Sequence, residues 1–157
     1  MARTKANIKK RRYRALHRAP VAFALPADAA EFATFLATFT ELGICREKTL
    51  NSNITKGDEE TLDDGTKKAL GYNGRLEGVL LQSDPTDYTA YETIENVEQD
   101  ILFLSQDGQV ALFFPNATLF FEETVSGGDT EAIPFSYEVE NLTQKSDFRT
   151  RFAVPQS

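Results

Sequence analysis

The sequence predicts a mainly β (α+β) fold of antiparallel strands, and the evidence lies between residues 101 and 139. Two apolar runs, Ile101–Leu104 and Val110–Phe114, flank Asp107-Gly108, a common signal of a tight hairpin. A third run, Ala117–Thr124, follows, and Ile133–Val139 then alternates apolar with polar residues. Such alternation is typical of a strand with one buried and one solvent-facing side. We therefore expect an antiparallel sheet in the C-terminal half of the chain.

The strands predicted at Ile101–Leu104 and Val110–Phe114 are apolar on both faces. Their second face must be covered by this chain or by another copy of it, and we expect another copy. Like copies that shield these strands would make the protein a homo-oligomer. The aromatic residues expected in the oligomer sheet are Phe103, Phe113, Phe114, Phe120 and Phe121.

One flanking helix is predicted at about 28–42 and a short second helix at about 85–94. Asp28 and Glu31 form a capping-box pattern, apolar residues follow at helical spacing, and Gly43 is placed to end the first helix. The second helix is indicated by Asp84-Pro85, since proline is favoured in a first helical turn.

The rest of the chain is predicted as further strands, turns and extended terminal arms. Gly57–Gly65 is acidic, and a solvated loop is expected there rather than a calcium site. Phe148–Val154 forms either one more strand or a C-terminal arm. The other predictions are strands at Thr49–Thr55, Thr66–Leu70 and Leu76–Gln82, a turn at Gly71–Gly74 and a break at Pro115-Asn116.

Composition excludes several classes of site. Cys45 is the single cysteine, so the chain forms no intramolecular disulfide and no cysteine zinc cluster. With His17 as its only histidine, one chain cannot build a histidine metal site. No apolar run approaches the roughly 20 residues that span a bilayer. Without a nucleophile, a P-loop or another catalytic motif, we expect no enzyme, no cofactor and no metal.

Charge is distributed very unevenly along the chain. Residues 1–18 carry eight basic side chains and no acid, whereas the remainder carries 9 basic and 24 acidic residues. We therefore divide the chain into a basic N-terminal arm, 1–19, and a single β domain, 20–157. The basic residues expected to contact another subunit or nucleic acid are Arg3, Lys5, Lys9, Lys10, Arg11, Arg12, Arg14 and Arg18.

Several interpretations of the arm stay open. A secretory signal is disfavoured because Pro20, Pro26 and Asp28 interrupt the apolar stretch, whereas composition does not separate a transit peptide from a retained arm. A retained arm lies on the acidic surface of a neighbouring subunit, binds nucleic acid by neutralising phosphates, or is a solvated tail.

In its order of elements the sequence resembles the tail tube (major tail) proteins of tailed bacteriophages. The resemblance rests on Gly57–Leu81 and Tyr88–Leu104, followed by VALFFPNATLFFEET and IPFSYEVE, and it covers roughly Asp58 to Glu140. It is a pattern of element order and hydrophobicity without a signature motif. The basic arm has no counterpart in this pattern.

The resemblance implies an antiparallel β-sandwich or barrel with a flanking helix that forms hexameric rings. Inner sheets of the subunits would join into one barrel, and stacked rings would form a tube for DNA passage. The expected partners are copies of the chain, other virion proteins and DNA in the lumen, without a membrane. The expected location is the virion tail, after assembly in the host cytoplasm. The alternative is a nucleic-acid-binding or capsid- or connector-associated virion protein that uses the basic arm.

Overall fold

The computed structural model describes residues 12–46, 49–81, 87–122 and 132–156. Within these ranges it contains eleven strands, two α-helices and a 3₁₀ turn at Lys145–Asp147. In chain order they are β1 (Tyr13–Arg18), α1 (Ala29–Ala37), β2 (Thr40–Cys45), β3 (Asn51–Lys56), β4 (Glu59–Thr61), β5 (Lys67–Ala69), β6 (Tyr72–Leu81), α2 (Asp87–Ile94), β7 (Glu98–Ser105), β8 (Val110–Thr118), β9 (Phe120–Phe121), β10 (Ala132–Leu142) and β11 (Thr150–Ala153).

Nine strands form one antiparallel sheet that folds over itself into two layers. The helix-covered layer has the order β11-β8-β7-β1-β2, and the open layer has the order β3-β6-β10-β9. They are joined where β2 pairs with β6 through Ile44↔Leu81 and Cys45↔Leu80. The remaining strands, β4 and β5, form a separate hairpin. The predicted mainly β sandwich with a flanking helix is confirmed.

The main core lies between the two layers. Phe103 of β7 stacks on Phe135 of β10 with ring centroids 5.8 Å apart, although three strands separate β7 from β10 in the sheet order. Phe148, which precedes β11, packs edge-on against Phe114 at 5.3 Å. A Cβ at Gly74 would lie 2.3 Å from the Phe148 ring, so glycine leaves the space that this ring fills. Aromatic packing therefore holds the layers face to face.

A second core lies between the helix-covered layer and α1. Phe32 of α1 and Phe39 beyond it pack with Leu102, Leu104 and Phe113 of the sheet. This contact explains why β7 and β8 are apolar on both faces, since the same chain covers their second face. The reason for expecting another copy over these strands was therefore wrong, although oligomer formation itself stays a prediction.

The first helix is shorter than predicted. The Asp28 carboxylate accepts a hydrogen bond from the Glu31 N–H at 2.8 Å, as the capping-box pattern predicted. However, α1 ends at Ala37 with Thr38 as its C-cap, so the predicted end near Leu42 was wrong. From Thr40 the chain pairs with β1 instead, because sheet pairing outweighs the helical propensity of a short segment. The described part of the second helix begins at Asp87, within its predicted range.

The proposed division at residue 19 was also wrong, because β1 lies inside the sheet. Tyr13–Arg18 pairs with β7 on one side and with β2 on the other, and Ala15 and Leu16 are buried. The folded domain therefore begins by residue 13. Residues 1–11 of the expected arm lie outside the described residues.

Two predicted interruptions of strands were wrong as well. β8 continues through Pro115-Asn116 to Thr118, and Asn116 adopts a φ of +49° where the pairing with β7 shifts register. Such a shift is typical of a β-bulge. The predicted turn at Gly71–Gly74 instead contains the start of β6. Of the two C-terminal alternatives the strand is correct, since β11 pairs with β8.

Candidate interaction surface

The outer face of the open layer carries no covering helix among the described residues and forms the candidate interaction surface. A shallow groove of about 520 Å³ runs across it between β6, β9 and β10. Successive side chains of a strand point to opposite faces. In β10, Ile133 and Phe135 point into the core and are buried, whereas Glu138 is exposed on the opposite face, which carries the groove. The predicted alternation of Ile133–Val139 is thus confirmed. The groove lining includes Arg75, Glu77, Phe120, Glu122, Ser136 and Glu138.

Arg75 on this surface is held between two carboxylates. Its Nη2 lies 3.0 Å from Glu77 Oε2, and its Nη1 lies 3.4 Å from Glu138 Oε1. The side chains of Arg75 and Glu138 are mostly exposed and that of Glu77 is partly exposed, so these ion pairs contribute little to stability. They do engage Arg75, which is the only cation among the described residues that line the groove, and this lining also contains Glu122. The described lining of the groove therefore carries net negative charge, and its cation is engaged by carboxylates.

One edge of the open layer is only partly paired. β9 pairs with β10 only through Phe135↔Phe121 and Ser136↔Phe120, and among described residues no strand pairs with that edge beyond Ser136. The Glu122 N–H donates to the Pro134 carbonyl, also on the β9 side. Because backbone groups alternate along a strand, the N–H and C=O groups of Glu138 point to the same open edge. This edge can accept a further strand.

Four of the five phenylalanines expected in an oligomer sheet lie in the core of a single chain. Phe103, Phe113, Phe114 and Phe121 are at most 3% exposed, whereas Phe120 is 49% exposed on the groove rim. The four buried rings are thus unavailable for contact with a second copy. The fifth remains a candidate, and the sequence analysis did not distinguish it from the other four.

Other exposed apolar side chains occur on the described surface, and four of them lie beside Phe120, in the segment before α1 or in the β4–β5 region: Val21, Leu25, Leu70 and Val97. Val97 is close in space to Phe120, because the Asn96 N–H donates to the Leu119 carbonyl at 3.0 Å. Val21 and Leu25 are about 60% exposed in the segment between β1 and α1. An exposed apolar side chain close to another, such as Val97 near Phe120, is a candidate for contact with another protein.

Arg18 has a structural role that sequence reasoning missed. Its Nε lies 3.0 Å from Asp100 Oδ2, and its guanidinium lies over the Phe39 ring at 4.5 Å. Asp100 is 1% exposed and also accepts hydrogen bonds from the Val21 and Asn116 N–H groups. Arg18 is therefore part of a buried ion pair, and its assignment as a contact residue was wrong. The sequence feature that could have revealed this ion pair is the position of Asp100 directly before the apolar run Ile101–Leu104, because a carboxylate next to a buried strand needs a cationic partner.

The other expected contact residues have varied positions. Arg14 of β1 pairs with Glu41 at 3.3 Å in a partly exposed ion pair on the sheet. Arg12 is exposed at the start of β1. The remaining five, Arg3, Lys5, Lys9, Lys10 and Arg11, lie outside the described residues.

The side chains of Cys45 and His17 are groups that could act in catalysis, and neither lies in a catalytic arrangement with the described residues. Cys45 is buried, and desolvation raises the pKa of its thiol to about 12, which keeps it protonated and unreactive near neutral pH. His17 lies in β1, where its Nδ1 is 3.1 Å from Gln99 Oε1. In the described ranges no group of three His, Cys, Asp or Glu side chains could hold a metal ion.

The acidic segment before β6 is the β4–β5 hairpin. Glu59, Glu60 and Asp63 are exposed, in agreement with the predicted solvated segment, although part of it is strand rather than loop. Hydrogen bonds from Thr66 lower the pKa of the Asp64 carboxyl, and the bond from the Thr66 backbone has a larger effect than the one from its side chain. Within the described residues this hairpin shows no metal-binding geometry.

No protein-family model matches the sequence, and no curated protein shows significant similarity to it. Neither described helix has the length and apolar character needed to cross a membrane.

Proposed function

We propose that this chain is the structural subunit of a tail tube, which assembles from stacked rings of identical copies and through which DNA passes. The observation that supports the proposal best is the difference between the two layers. One layer is covered by α1, whereas the other, among the residues that the structure describes, presents a polar face without a covering helix and a strand edge that is only partly paired. A tube wall needs this combination, because its outer side must be closed and its inner sheet must continue into a neighbour.

The electrostatics of the open layer suit an inner wall along which DNA slides. Free cations on such a wall would bind phosphates and release counterions, which would hold the DNA in place. On this face Arg75 is already engaged by Glu77 and Glu138. A net negative surface repels phosphates instead and leaves the DNA mobile.

The exposed apolar residues are suitable for a ring contact. A closed ring needs a heterologous interface, in which two different patches of the same subunit meet. Val97 and Phe120 are exposed near the end of α2 and in β9, and Val21 and Leu25 are exposed in a different part of the chain. The buried phenylalanines of β7 and β8 are not needed for this contact.

The role proposed for the protein is structural rather than enzymatic, in the tail of a virion assembled in the host cytoplasm. Its proposed partners are further copies, other virion proteins and passing DNA. The hexameric ring is part of the proposal and follows from the resemblance alone.

Nucleic-acid or capsid-associated binding through the basic arm is the second candidate. It is favoured by Arg12, which is exposed directly before β1 and which follows five further basic residues in the sequence. Arg18 contributes nothing to this candidate, because it is buried with Asp100.

Negative-stain electron microscopy of the purified chain tests the first candidate. We expect rings or tubes with a central channel, and a protein that stays monomeric at high concentration would contradict the proposal. A filter-binding titration of duplex DNA against salt tests the second candidate. Tight binding that weakens steeply with salt would favour it, whereas weak binding by an assembled tube favours the first.

A further inference from the structure

We propose that the outer edge of β11 in one copy pairs antiparallel with the open edge of β10 in a second copy, so that Arg151 lies opposite Glu140. The inference rests on the self-association in the proposed function and names the two surfaces that meet. Among the described residues β11 pairs only with β8, and no strand pairs with the β9 side of β10 beyond Ser136.

The outer edge of β11 offers the backbone groups of two residues. The Val154 N–H donates to the Gln109 carbonyl on the β8 side of the strand. Because backbone groups alternate along a strand, Arg151 and Ala153 point to the opposite side, where no described strand lies. This edge can therefore form the same ladder of hydrogen bonds that the open β10 edge offers.

The two edges also match in the side chains that they present on each face. Arg151 is exposed and its neighbour Phe152 is partly exposed, while Glu140 is exposed and its neighbour Val139 is partly exposed. Directly opposite residues of an antiparallel pair have their side chains on the same face. With Arg151 opposite Glu140, Phe152 lies opposite Val139. One face of the joint then carries an ion pair and the other an apolar contact.

The charges near β11 call for a carboxylate partner. Among the described residues neither Arg149 nor Arg151 forms an ion pair, and Glu140 forms none either. The two arginines lie close together, since desolvation and then the charge of Arg151 lower the pKa of Arg149. A carboxylate from a second copy would offset this repulsion between like charges.

The two edges of one chain do not meet each other. They belong to different layers, and the Phe148 ring fills the space between, 5.3 Å from the Phe114 ring of β8 and 5.7 Å from the Tyr137 ring of β10. Facing layers lie about 10 Å apart, roughly twice the spacing of paired strands. We therefore assign the partner of each edge to another chain.

Other edges of a second copy fit β10 less well. A second β10 would bring Glu138 close to like charges, which destabilises opposed strands. On β3, the Gly57 N–H donates to the Gly71 carbonyl on the β6 side, so alternation places Ser52 on the outer edge. The Ser52 carbonyl already accepts a hydrogen bond from Arg149 Nη1 at 3.0 Å. Pairing of β11 with β10 is also heterologous, so the contact can pass from copy to copy, as a ring requires.

Exchange of the two charges tests the pairing in the full-length chain. Arg151→Glu and Glu140→Arg each put like charges opposite one another, whereas the double variant restores an opposite pair. Lys67→Glu on the β4–β5 hairpin is the matched control, since it reverses an exposed cation away from both edges. Sedimentation velocity over a range of concentrations measures self-association, and circular dichroism checks that each variant is folded.

We expect each single reversal to weaken self-association by about tenfold or more, because like charges face each other across the joint. The double variant should recover most of this loss, and Lys67→Glu should associate like the unsubstituted chain. Single reversals that associate as well as Lys67→Glu, or a double variant no better than the single ones, would overturn the inference.

A disulfide between the same two positions tests the geometry. Opposite residues of paired strands have Cα atoms about 5.5 Å apart, which a disulfide can span. Native Cys45 does not interfere, because it is 1% exposed. We expect oxidation of the Arg151→Cys/Glu140→Cys chain to give a ladder of covalently linked copies, and monomers alone would overturn the inference.

The two tests separate this contact from the proposed function. If microscopy shows tubes while charge exchange and cross-linking both fail, the pairing of β11 with β10 is wrong and the proposed function stands. If the covalent ladder forms and microscopy shows neither rings nor tubes, the pairing stands and the proposed function is wrong.

Discussion

Removing the Asp100 carboxylate should destabilise the fold strongly. In Asp100→Ala, Arg18 loses its partner at 3.0 Å, and the Val21 and Asn116 N–H groups lose an acceptor at 3.1 and 3.2 Å. The Arg18 side chain is only 8% exposed, so water cannot replace the carboxylate without opening the site. The same carboxylate links β7 to the bulge of β8 and to the segment that leads to α1.

The expected cost follows from this burial. Breaking a buried ion pair by removing one partner typically costs about 3–5 kcal/mol, which already includes much of the penalty for unpaired donors. We therefore expect Asp100→Ala to lower the free energy of unfolding by about 4 kcal/mol. With a urea m-value of about 2 kcal/mol/M, the unfolding midpoint falls by roughly 2 M.

Urea unfolding followed by far-ultraviolet circular dichroism measures this change. Glu41→Ala is the control, because its ion pair with Arg14 is partly exposed and should contribute less than about 1 kcal/mol. The double variant Arg18→Met/Asp100→Leu should recover part of the loss, since no buried charge remains unpaired. If Asp100→Ala costs no more than Glu41→Ala, the role assigned to this pair is wrong.

Further predictions concern the core, the thiol and the open face. Phe113→Ala should cost about 3–5 kcal/mol in urea unfolding because the ring is 1% exposed, whereas Phe120→Ala should leave stability nearly unchanged and reduce assembly in sedimentation velocity. Cys45 should resist a thiol reagent until the protein unfolds. Burial raises the pKa of its thiol from 9.0 to about 12, so the folded state keeps the thiol neutral at a pH where the unfolded chain ionises it. The contribution of Cys45 to the free energy of unfolding is therefore complete below pH 9 and declines as the pH rises above 9. The double variant Glu77→Lys/Glu138→Lys should bind duplex DNA with a steeper salt dependence, by about 0.9 in slope for each new phosphate contact; an unchanged slope would contradict the sliding-wall argument.

The strands and their turns could be predicted because their signals are local. Alternation defined Ile133–Val139, and Asp107-Gly108 defined the hairpin, where Gly108 has a φ of +69°. The start of α1 at Asp28 was equally visible, because a cap needs only neighbouring residues. Periodicity and turn chemistry need no knowledge of the tertiary structure.

The errors arose where distant pairing decides the structure. The helix stops at Ala37 because β2 must pair with β1, and that partner lies more than twenty residues earlier in sequence. The arm was extended too far, because Arg14 and Arg18 belong to a strand that pairs with β2 and β7 and whose Ala15 and Leu16 are buried. The high density of basic residues in this part of the sequence concealed the weaker pattern that indicates β1.

The candidate surface was only partly visible in the sequence. The apolar β7 and β8 strands drew attention to a second face, yet the sequence could not show that α1 covers it. The open β10 edge depends on where β9 ends, which is a property of the sheet order. Phe120 and Phe121 are adjacent in sequence, but the one-residue offset puts them on opposite sides of a strand.

Hydrogen exchange with mass spectrometry, on dilute and on assembled protein, tests most directly whether copies associate through the open layer. We predict that assembly slows exchange in the peptide that spans Tyr137–Glu140, because its edge amides gain partners. Exchange in Ile101–Leu104 should stay slow in both states, since a single chain already buries and pairs this strand. Protection that appears in Ile101–Leu104 upon assembly, with no change at Tyr137–Glu140, would contradict the account.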